Sequence, residues 1–215
     1  MSSLFQHEPI EPLREVIAEG AVLLRGFALA DAPAILEHLC AIAIDAPPRH
    51  MVTPGGHSMS VAMTNCGDAG WTTDRHGYRY SKVDPETNLP WPPMPKLFSQ
   101  LAARAAEAAG YKSFRPDSCL INYYEPKSKM SLHQDKNEQD YTQPIVSVSL
   151  GLPATFLFGG MERSAPTRKL RLEHGDVVVW GGLLRKVYHG IAPLKPGSHP
   201  ETGAMRINLT FRKSL

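Results

Sequence analysis

Two histidines and an aspartate in the carboxyl-terminal half of the chain have the residue types and spacing of a metal site. His133 and Asp135 stand two positions apart, so on an extended strand their side chains point to the same face. His189 follows much later, far enough for the chain to return on a neighbouring strand. Two imidazoles and a carboxylate on one face of an octahedron leave room for a bidentate oxo-acid and dioxygen, as in non-haem iron oxygenases. We therefore predict that these three residues are the metal ligands and the catalytic centre.

The triad alone leaves two other interpretations open. The sequence contains nine histidines, so an H-x-D pair can arise by chance. Three nitrogen or oxygen ligands plus water also describe catalytic zinc sites. Residues outside the triad have to distinguish iron from zinc.

The segment from 206 to 212 provides this distinction. Its polar and apolar residues alternate, so one face of the predicted strand is polar. A half-exposed surface strand has the same pattern. Beside an iron triad, however, a dicarboxylate co-substrate needs a guanidinium fork for the carboxylate far from the metal, and Arg206 is the candidate. We expect Arg212 and Asn208 to serve its near end or to orient the metal's carboxylate. Asn122 and Tyr124 are further candidate donors to the co-substrate.

The elements that must position these residues are mostly short strands. A helix from Lys96 to Ala109, ended by Gly110, is followed by eight strand-like segments with turn residues between them, a pattern typical of a sandwich or jelly roll. We predict a mainly β fold with flanking helices (α+β). The predicted strands are Ser118–Tyr124, Lys129–His133, Ile145–Leu150, Ala154–Phe158, Lys169–Glu173, Asp176–Trp180, Arg185–Ile191 and Ala204–Arg212.

The amino-terminal region predicts a short helix, a strand from Ala21 to Phe27 and a second helix. Asp31 is the expected N-cap of that helix, with Pro33 in its first turn.

The next region, residues 47 to 95, is crowded with Pro, Gly, Ser, Thr and Asn and carries several aromatic residues. Two of its segments, Ser58–Thr64 and Gly77–Ser81, alternate well enough to form strands. A structureless insertion of this length would be unusual, so the pattern favours a flap that bears a hairpin.

Composition and charge indicate the setting. No apolar run approaches the roughly 18 residues of a membrane span, and the amino terminus lacks the order of a secretory signal. The three cysteines form no C-x-x-C pair, so we expect a soluble, monomeric, cytoplasmic protein with reduced thiols. A net charge of +2 does not indicate a nucleic-acid binder, so phosphate binding would need a local basic patch. Lys127, Lys129 and Lys136 are candidates for that patch.

The chain resembles the AlkB family of DNA and RNA dealkylating dioxygenases from about Gly20 to Arg212. The motifs that carry the resemblance are MVTPGG at 51–56, MSVAMTNCG at 59–67, GWTT at 70–73, SLHQDK at 131–136, PIVSVSLGLPA at 144–154, LEHGDVVVWGG at 172–182, YHGI at 188–191 and R-x-N-x-x-x-R at 206–212.

The resemblance implies a single dioxygenase domain over residues 1–215. Within it, residues 1–45 would form an amino-terminal extension and residues 46–95 a nucleotide-recognition lid. Residues 96–215 would form a helix and a double-stranded β-helix, the jelly-roll core.

The activity that the resemblance implies is direct-reversal repair of alkylated nucleic acid. The enzyme would use Fe(II), 2-oxoglutarate and O2 to demethylate bases such as 1-methyladenine and 3-methylcytosine, and would release formaldehyde and succinate. The expected substrate is single-stranded DNA, double-stranded DNA with a flipped base, or RNA.

The resemblance also assigns roles to individual residues, the metal ligands again being His133, Asp135 and His189. In the family's bacterial type member an acidic residue stands where this chain has Asn137, and a tyrosine where it has His57. The implied 2-oxoglutarate residues are Leu120, Asn122, Tyr124, Ser147, Trp180, Arg206, Asn208 and Arg212. The implied substrate contacts are Thr53, His57, Met63, Trp71, Tyr78, Lys129, Ser131, Gln134, Asn137 and Arg163.

Alternatives to this reading concern the substrate and the aromatic residues of the lid. Trp71 opposite His133 could sandwich a flipped base, but Trp71 and Tyr78 could equally fill a core within the lid. The same iron chemistry could act on a protein side chain or a small molecule. A metal-bearing nucleic-acid binder without turnover is the alternative outside enzymes.

Overall fold

Most of the chain is β-structure arranged as two facing antiparallel sheets, with two α-helices on the outer face of the larger one. The computed structural model describes residues 13–215, and the bounds below refer to that part. The helices are α1 (Ala32–Asp45) and α2 (Lys96–Ala108). The strands are β1 (Arg14–Ala18), β2 (Ala21–Leu24), β3 (Arg49–Val52), β4 (Ser58–Gly67), β5 (Gly70–Asp74), β6 (Gly77–Ser81), β7 (Ser118–Tyr124), β8 (Met130–His133), β9 (Ile145–Gly151), β10 (Ala154–Phe158), β11 (Arg168–Leu172), β12 (Val177–Trp180), β13 (His189–Ile191) and β14 (Arg206–Arg212).

The larger sheet has eight strands in the order β1-β2-β12-β9-β14-β7-β4-β3, and the smaller has four in the order β11-β10-β13-β8. Strands β5 and β6 pair only with each other in the described chain and form a separate hairpin. The predicted mainly β class with a jelly-roll core is confirmed.

The larger sheet is covered on both faces, so its central strands contain few exposed residues. One core lies between this sheet and the helices, where Leu209 and Phe211 of β14 meet Phe98 and Leu101 of α2. The other core lies between the two sheets and includes Met63, Phe156 and Trp180. The second core surrounds the polar side chains of the functional site.

The lobe predicted between residues 47 and 95 is divided between two structures. Strand β4 pairs with β7 and so extends the larger sheet, with β3 at its edge. The hairpin of β5 and β6 projects from this frame, and Trp71 lies directly opposite Tyr80 in its register. The lobe is therefore ordered structure and carries a hairpin, as its alternating segments predicted.

One predicted element near the amino terminus is wrong, and Asp31 is the N-cap residue of α1 as predicted but without the expected hydrogen bond. The short helix is replaced, over its described residues, by β1, which pairs antiparallel with β2. The run Glu15-Val16-Ile17 contains two β-branched residues, which favour a strand. Asp31 precedes α1 but makes no capping hydrogen bond, because its carboxylate binds Arg104 of α2.

The segment predicted as a strand from Arg185 to Ile191 is extended only over β13. A short 3-10 turn, Gly182–Leu184, precedes Arg185, whose guanidinium is buried and donates to the backbone oxygens of Gln143 and Asp135 at 3.1 Å each. A strand through residue 185 would not let this side chain reach both carbonyls.

Neither described helix is long and apolar enough to cross a membrane.

Candidate metal centre and adjoining cavity

The three predicted metal ligands converge at one point, where β8 and β13 lie side by side. His133 and His189 are direct partners in the register of these strands. His133 Nε2 lies 3.7 Å from Asp135 Oδ1, and His189 Nε2 lies 3.8 Å from Asp135 Oδ2. The three ligand atoms lie within 4.8 Å of one another. This arrangement forms one compact face on which a cation can be held.

A glycine beside His189 permits the close approach of the two strands. A Cβ atom on Gly190 would lie 2.5 Å from the backbone oxygen of Met130, which is closer than real atoms come. Any other residue would therefore push β13 away from β8 and separate the two imidazoles.

Backbone carbonyls orient both imidazoles. Nδ1 of His133 lies 2.8 Å from the oxygen of Ser131, and Nδ1 of His189 lies 3.0 Å from that of Val187. With Nδ1–H donating to a carbonyl, each Nε2 keeps a lone pair toward the other ligands. Burial lowers the pKa of His189 to about 4, and the neighbouring His133 acts in the same direction. His189 is therefore neutral near pH 7, as a metal ligand must be.

The carboxylate of Asp135 is held by Arg212, at the end of β14. The Nε and Nη2 atoms of Arg212 both donate to Asp135 Oδ2, at 2.8 and 2.6 Å. Burial acts to raise the pKa of Asp135, but the charge of Arg212 outweighs it and holds the pKa well below its usual range. The aspartate is therefore ionised before any metal arrives.

Arg206, at the other end of β14, is fully buried with much of its hydrogen-bonding capacity unused. Its guanidinium lies 4.9 Å from the ring centre of Tyr124, and its Nη2 donates to Ser149 Oγ at 3.0 Å. Within residues 13–215, its Nε and Nη1 have no hydrogen-bond partner, and neither does Nη1 of Arg212. Buried arginine N–H groups are costly to leave unpaired, so this site fits an anion.

Polar side chains from adjacent strands line the interval between the two arginines. Asn122 faces Asn208 in the register of β7 and β14, and its Nδ2 donates to Asn208 Oδ1 at 3.3 Å. Asn208 donates in turn to Ser147 Oγ at 2.8 Å. Trp180, whose Nε1 has no partner in the described chain, edges onto the ring of His189 at 5.0 Å between ring centres. Together these groups fit a dicarboxylate with one end at the metal.

The buried polar face of β14 removes one alternative left open by the sequence. Arg206 is 1% and Arg212 5% exposed, so β14 is not a half-exposed surface strand. A zinc hydrolase has no need of two buried arginines, so the surroundings of the triad favour iron with 2-oxoglutarate.

A cavity of about 570 Å³ opens from the triad toward the hairpin of β5 and β6. Of the ten predicted substrate residues, nine line it, together with Leu120, His133, Asp135 and Arg212. The exception is His57, which lies exposed in the turn before β4 and pairs through its backbone with Thr53. The nine are Thr53, Met63, Trp71, Tyr78, Lys129, Ser131, Gln134, Asn137 and Arg163.

The aromatic residues of the hairpin face this cavity. Trp71 and Tyr78 stack with ring centres 5.7 Å apart and an interplanar angle of 23°, and Tyr78 is 47% exposed. Asn65 fixes Trp71 by exchanging two 3.0 Å hydrogen bonds with its backbone. The two rings are therefore available for stacking and do not fill a core inside the lobe.

Three buried residues of the site were missed in the sequence. Arg185 and Glu138 lie in irregular segments and form an ion pair of 3.3 Å behind Asp135. Ser149 supports Arg206 from β9. A polar residue at 149, like Ser147 two positions before it, lies on the site-facing side of a buried strand, and this alternation could have identified it. The sequence around Glu138 reads as a solvated acidic loop and gives no such signal.

Comparison with known proteins agrees with this geometry. A family model described as the 2OG-Fe(II) oxygenase superfamily matches residues 20–212, and the chain therefore belongs to this superfamily. It is an Fe(II)- and 2-oxoglutarate-dependent dioxygenase, with His133, Asp135 and His189 as the metal-binding triad.

The chain is similar to the α-ketoglutarate-dependent dioxygenase AlkB of Escherichia coli, with 60% identity over 204 residues, 95% of this chain and 94% of that protein. It is 32% identical over 174 residues to the DNA N(6)-methyladenine demethylase ALKBH1C of Arabidopsis thaliana, covering 69% of this chain and 38% of that protein. The solved structure of OsALKBH1 superposes with a TM-score of 0.82 at 28% identity, covering 94% of this chain and all of that one. The predicted AlkB-type dioxygenase is confirmed.

Proposed function

We propose that this dioxygenase removes methyl groups from ring nitrogens of nucleic-acid bases, with 1-methyladenine and 3-methylcytosine as its principal substrates. The observation that carries the proposal is the cavity that Trp71 and Tyr78 line together with the metal ligands His133 and Asp135. We call the space between these residues the base slot. A base lying there would stack on aromatic rings on one side and contact His133 on the other. A protein side chain or a small aliphatic molecule has no use for such a slot.

The polar rim of the cavity supports a nucleic-acid substrate. Lys129, Lys136 and Arg163 line the cavity and are solvent-exposed, as expected for residues that bind phosphates on either side of an extruded base. Lys127, the third lysine of the predicted patch, does not line the cavity.

The orientation of Asn137 favours a base with an exocyclic amino group as the substrate. Its Nδ2 donates to the backbone oxygen of Tyr78 at 3.3 Å, which orients the amide and leaves Oδ1 as an acceptor. Adenine and cytosine both present an amino donor beside the ring nitrogen that is methylated. The neutral asparagine can therefore accept this hydrogen bond as a carboxylate would.

The work of the chain in this reaction is to bind and orient. Arg206, with Tyr124, would hold the far carboxylate of 2-oxoglutarate, Asn208 would serve its near end, and the triad would hold Fe(II). Bound iron and 2-oxoglutarate supply the oxidation, in which O2 and the co-substrate become succinate, CO2 and a hydroxylated methyl group on the base. The hydroxymethyl group then leaves as formaldehyde: its hydroxyl proton is released, the C–N bond breaks, and the bonding pair returns to the ring nitrogen as the lone pair of the unmodified base.

The test is a panel of matched oligonucleotides with O2, Fe(II) and 2-oxoglutarate. Each carries 1-methyladenine, 3-methylcytosine or no modification, as single-stranded DNA, double-stranded DNA or RNA. We expect formaldehyde and loss of one methyl mass from the methylated strands only. Succinate formation without formaldehyde from any strand would reject the proposal and leave the oxygenase assignment intact.

We further propose that the protein acts as a monomer in the cytoplasm, since one chain supplies both arginines, the triad and the slot. Sedimentation at micromolar concentration should give a mass close to 23.7 kDa. A stable dimer whose dissociation abolished activity would contradict the monomer.

A further inference from the structure

A buried carboxylate, that of Glu138, lies between the aromatic hairpin and the arginine that holds Asp135. Its side chain is 2% exposed, and the Tyr80 hydroxyl donates a 2.7 Å hydrogen bond to its Oε1. No other hydrogen bond to this carboxylate is formed by residues 13–215. Arg212 Nε lies 3.4 Å from Oε1, and Arg185 Nη2 lies 3.3 Å from Oε2. The Tyr80 hydroxyl therefore supplies the hydrogen bond of this carboxylate among the described residues, beside its ion pairs with Arg212 and Arg185.

Arg212 stands between two carboxylates and donates to one of them. Its Nε is 2.8 Å from Asp135 Oδ2, against 3.4 Å from Glu138 Oε1. A buried carboxylate without a hydrogen bond is costly, and the cationic donor beside Oε1, the oxygen that Tyr80 binds, is this Nε. Loss of the hydroxyl should therefore draw Arg212 toward Glu138 and weaken its hold on the metal ligand Asp135.

Tyr80 lies on the hairpin that carries Trp71 and Tyr78, the residues that contact the base in the proposed function. It is the direct cross-strand partner of Trp71, so both side chains lie on the same face of the hairpin. The hairpin meets the segment after Asp135 a second time, where Asn137 Nδ2 donates to the Tyr78 backbone oxygen at 3.3 Å. A base that fixes Trp71 in place thereby also fixes Tyr80.

We propose that Tyr80 and Glu138 are positioning residues that couple occupation of the base slot to the orientation of the Asp135 carboxylate. A base stacked on Trp71 holds the Tyr80 hydroxyl on Glu138. Because Glu138 then does not compete for Arg212, Arg212 keeps its hydrogen bonds to Asp135. The site therefore binds metal and co-substrate more tightly. This coupling rests on the proposed function, because it requires a nucleic-acid base in the slot.

Coupling between two sites is reciprocal, so it can be measured from either side. Binding of a fluorescent single-stranded oligonucleotide with one 1-methyladenine would be followed by anisotropy, with and without Mn(II) and 2-oxoglutarate. Mn(II) replaces Fe(II) and O2 is excluded, so that nothing turns over. The ratio of the two dissociation constants is the coupling, which we expect to be about tenfold in the unaltered protein.

The test variant is Tyr80→Phe, which keeps the ring and removes only the hydroxyl. Its coupling ratio should fall by about threefold or more, while the part due to direct contact between base and metal site persists. Glu138→Gln should also lower the coupling ratio. The ratio of the double variant should be no lower than that of the more affected single variant, because both changes remove the same Tyr80–Glu138 hydrogen bond. The control is Tyr111→Phe, which removes another 2.7 Å tyrosine hydrogen bond, to Gly20, far from Glu138.

If Tyr80 had a purely structural role, Tyr80→Phe would raise both dissociation constants by the same factor and leave their ratio unchanged. That result, with the melting temperature of Tyr80→Phe close to that of the control, would overturn the proposal. A ratio near one in the unaltered protein would also overturn it. Absence of oligonucleotide binding under either condition would instead reject the proposed function, and this inference with it.

Discussion

At the scale of single residues, the site depends on a few side chains whose neighbours fix their charge and direction. Arg212 keeps Asp135 ionised, and backbone carbonyls aim both imidazoles. Arg206 is buried with two N–H positions unpaired among the described residues. Each of these groups has the charge and orientation that binding requires before its ligand arrives, so the site is preorganised.

Trp71→Ala should reduce turnover of methylated oligonucleotides more than it reduces uncoupled oxidation of 2-oxoglutarate. Base stacking is worth about 1–3 kcal/mol, so kcat/KM for the oligonucleotide should fall about 5-fold to 150-fold. Formaldehyde and succinate measured in parallel separate the two activities. Trp91→Phe is the control, because Trp91 is a buried tryptophan of the same lobe and does not line the cavity. Equal loss of both activities would contradict the stacking role.

Arg206→Lys should raise the KM for 2-oxoglutarate while leaving iron binding in place. Lysine keeps the charge but cannot form the planar fork, and loss of a charge-assisted hydrogen bond of about 1.5–3 kcal/mol corresponds to about 10-fold to 100-fold. The measurement is the 2-oxoglutarate dependence of succinate formation. Arg104→Lys, at an exposed ion pair with Asp31, provides the control. An unchanged KM would assign the far carboxylate to another residue.

At the scale of elements, β14 organises the site because both of its ends are arginines of the site and both of its faces are buried. Beyond its last residue, Asp117 anchors the chain. Its carboxylate accepts from Lys213 Nζ at 2.6 Å and from the Ser214 and Leu215 amides at 2.7 and 3.1 Å. Because Arg212 is adjacent, this anchor also limits how far Arg212 can move.

Asp117→Asn should lower the free energy of unfolding by about 2–3 kcal/mol, because a buried acceptor of several hydrogen bonds loses its charge. Burial acts to raise the pKa of Asp117, but Lys213 and Ser214 outweigh it and the pKa is lowered. Its stabilisation is therefore present above the unfolded pKa of about 3.9 and is lost as the pH falls through the lower folded value.

Urea unfolding of the metal-free protein between pH 7 and pH 3 tests both statements. The difference between wild type and Asp117→Asn should shrink as the pH approaches 3. Glu107→Gln, at an exposed carboxylate on α2, is the control. A difference that stays constant with pH would show that the charge of Asp117 contributes nothing.

The elements that could be predicted from the sequence are those with local periodicity. The alternation in β14 and the H-x-D spacing in β8 are properties of neighbouring residues, so the triad and the arginine strand were identified. Arg185 and Glu138 lie in irregular segments, and their burial results from contacts with residues distant in sequence. The edge strand β1 was missed because its two β-branched residues are a short local signal, and its pairing with β2 completes the strand.

At the scale of the whole molecule, positive and negative charges are nearly balanced, and the positive side chains proposed to bind phosphates lie at the cavity. A net charge of +2 gives little long-range attraction for nucleic acid. Lys129, Lys136 and Arg163 line the cavity and can replace counterions there. The affinity for nucleic acid should therefore depend on salt concentration to a degree set by the number of phosphate contacts that these side chains make.

The logarithm of the dissociation constant for single-stranded DNA should rise with the logarithm of salt concentration with a slope of about 2, for three phosphate contacts. Lys129→Ala should lower that slope by about 0.7. Lys112→Ala, an exposed lysine outside the cavity, should leave it unchanged. Anisotropy titrations at four salt concentrations provide the measurement, and identical slopes for both variants would remove Lys129 from the phosphate contacts.

The pairing of β4 with β7 places Cys66 directly opposite Cys119, and both are fully buried between the larger sheet and the helices. Burial raises the pKa of the Cys119 thiol, and its hydrogen bond with Cys66 acts in the same direction. Neither thiol is therefore a ready nucleophile. Cys40, on α1, is exposed. The native protein thus presents one accessible thiol, and a thiol reagent should count one reactive group in the native state and three after denaturation.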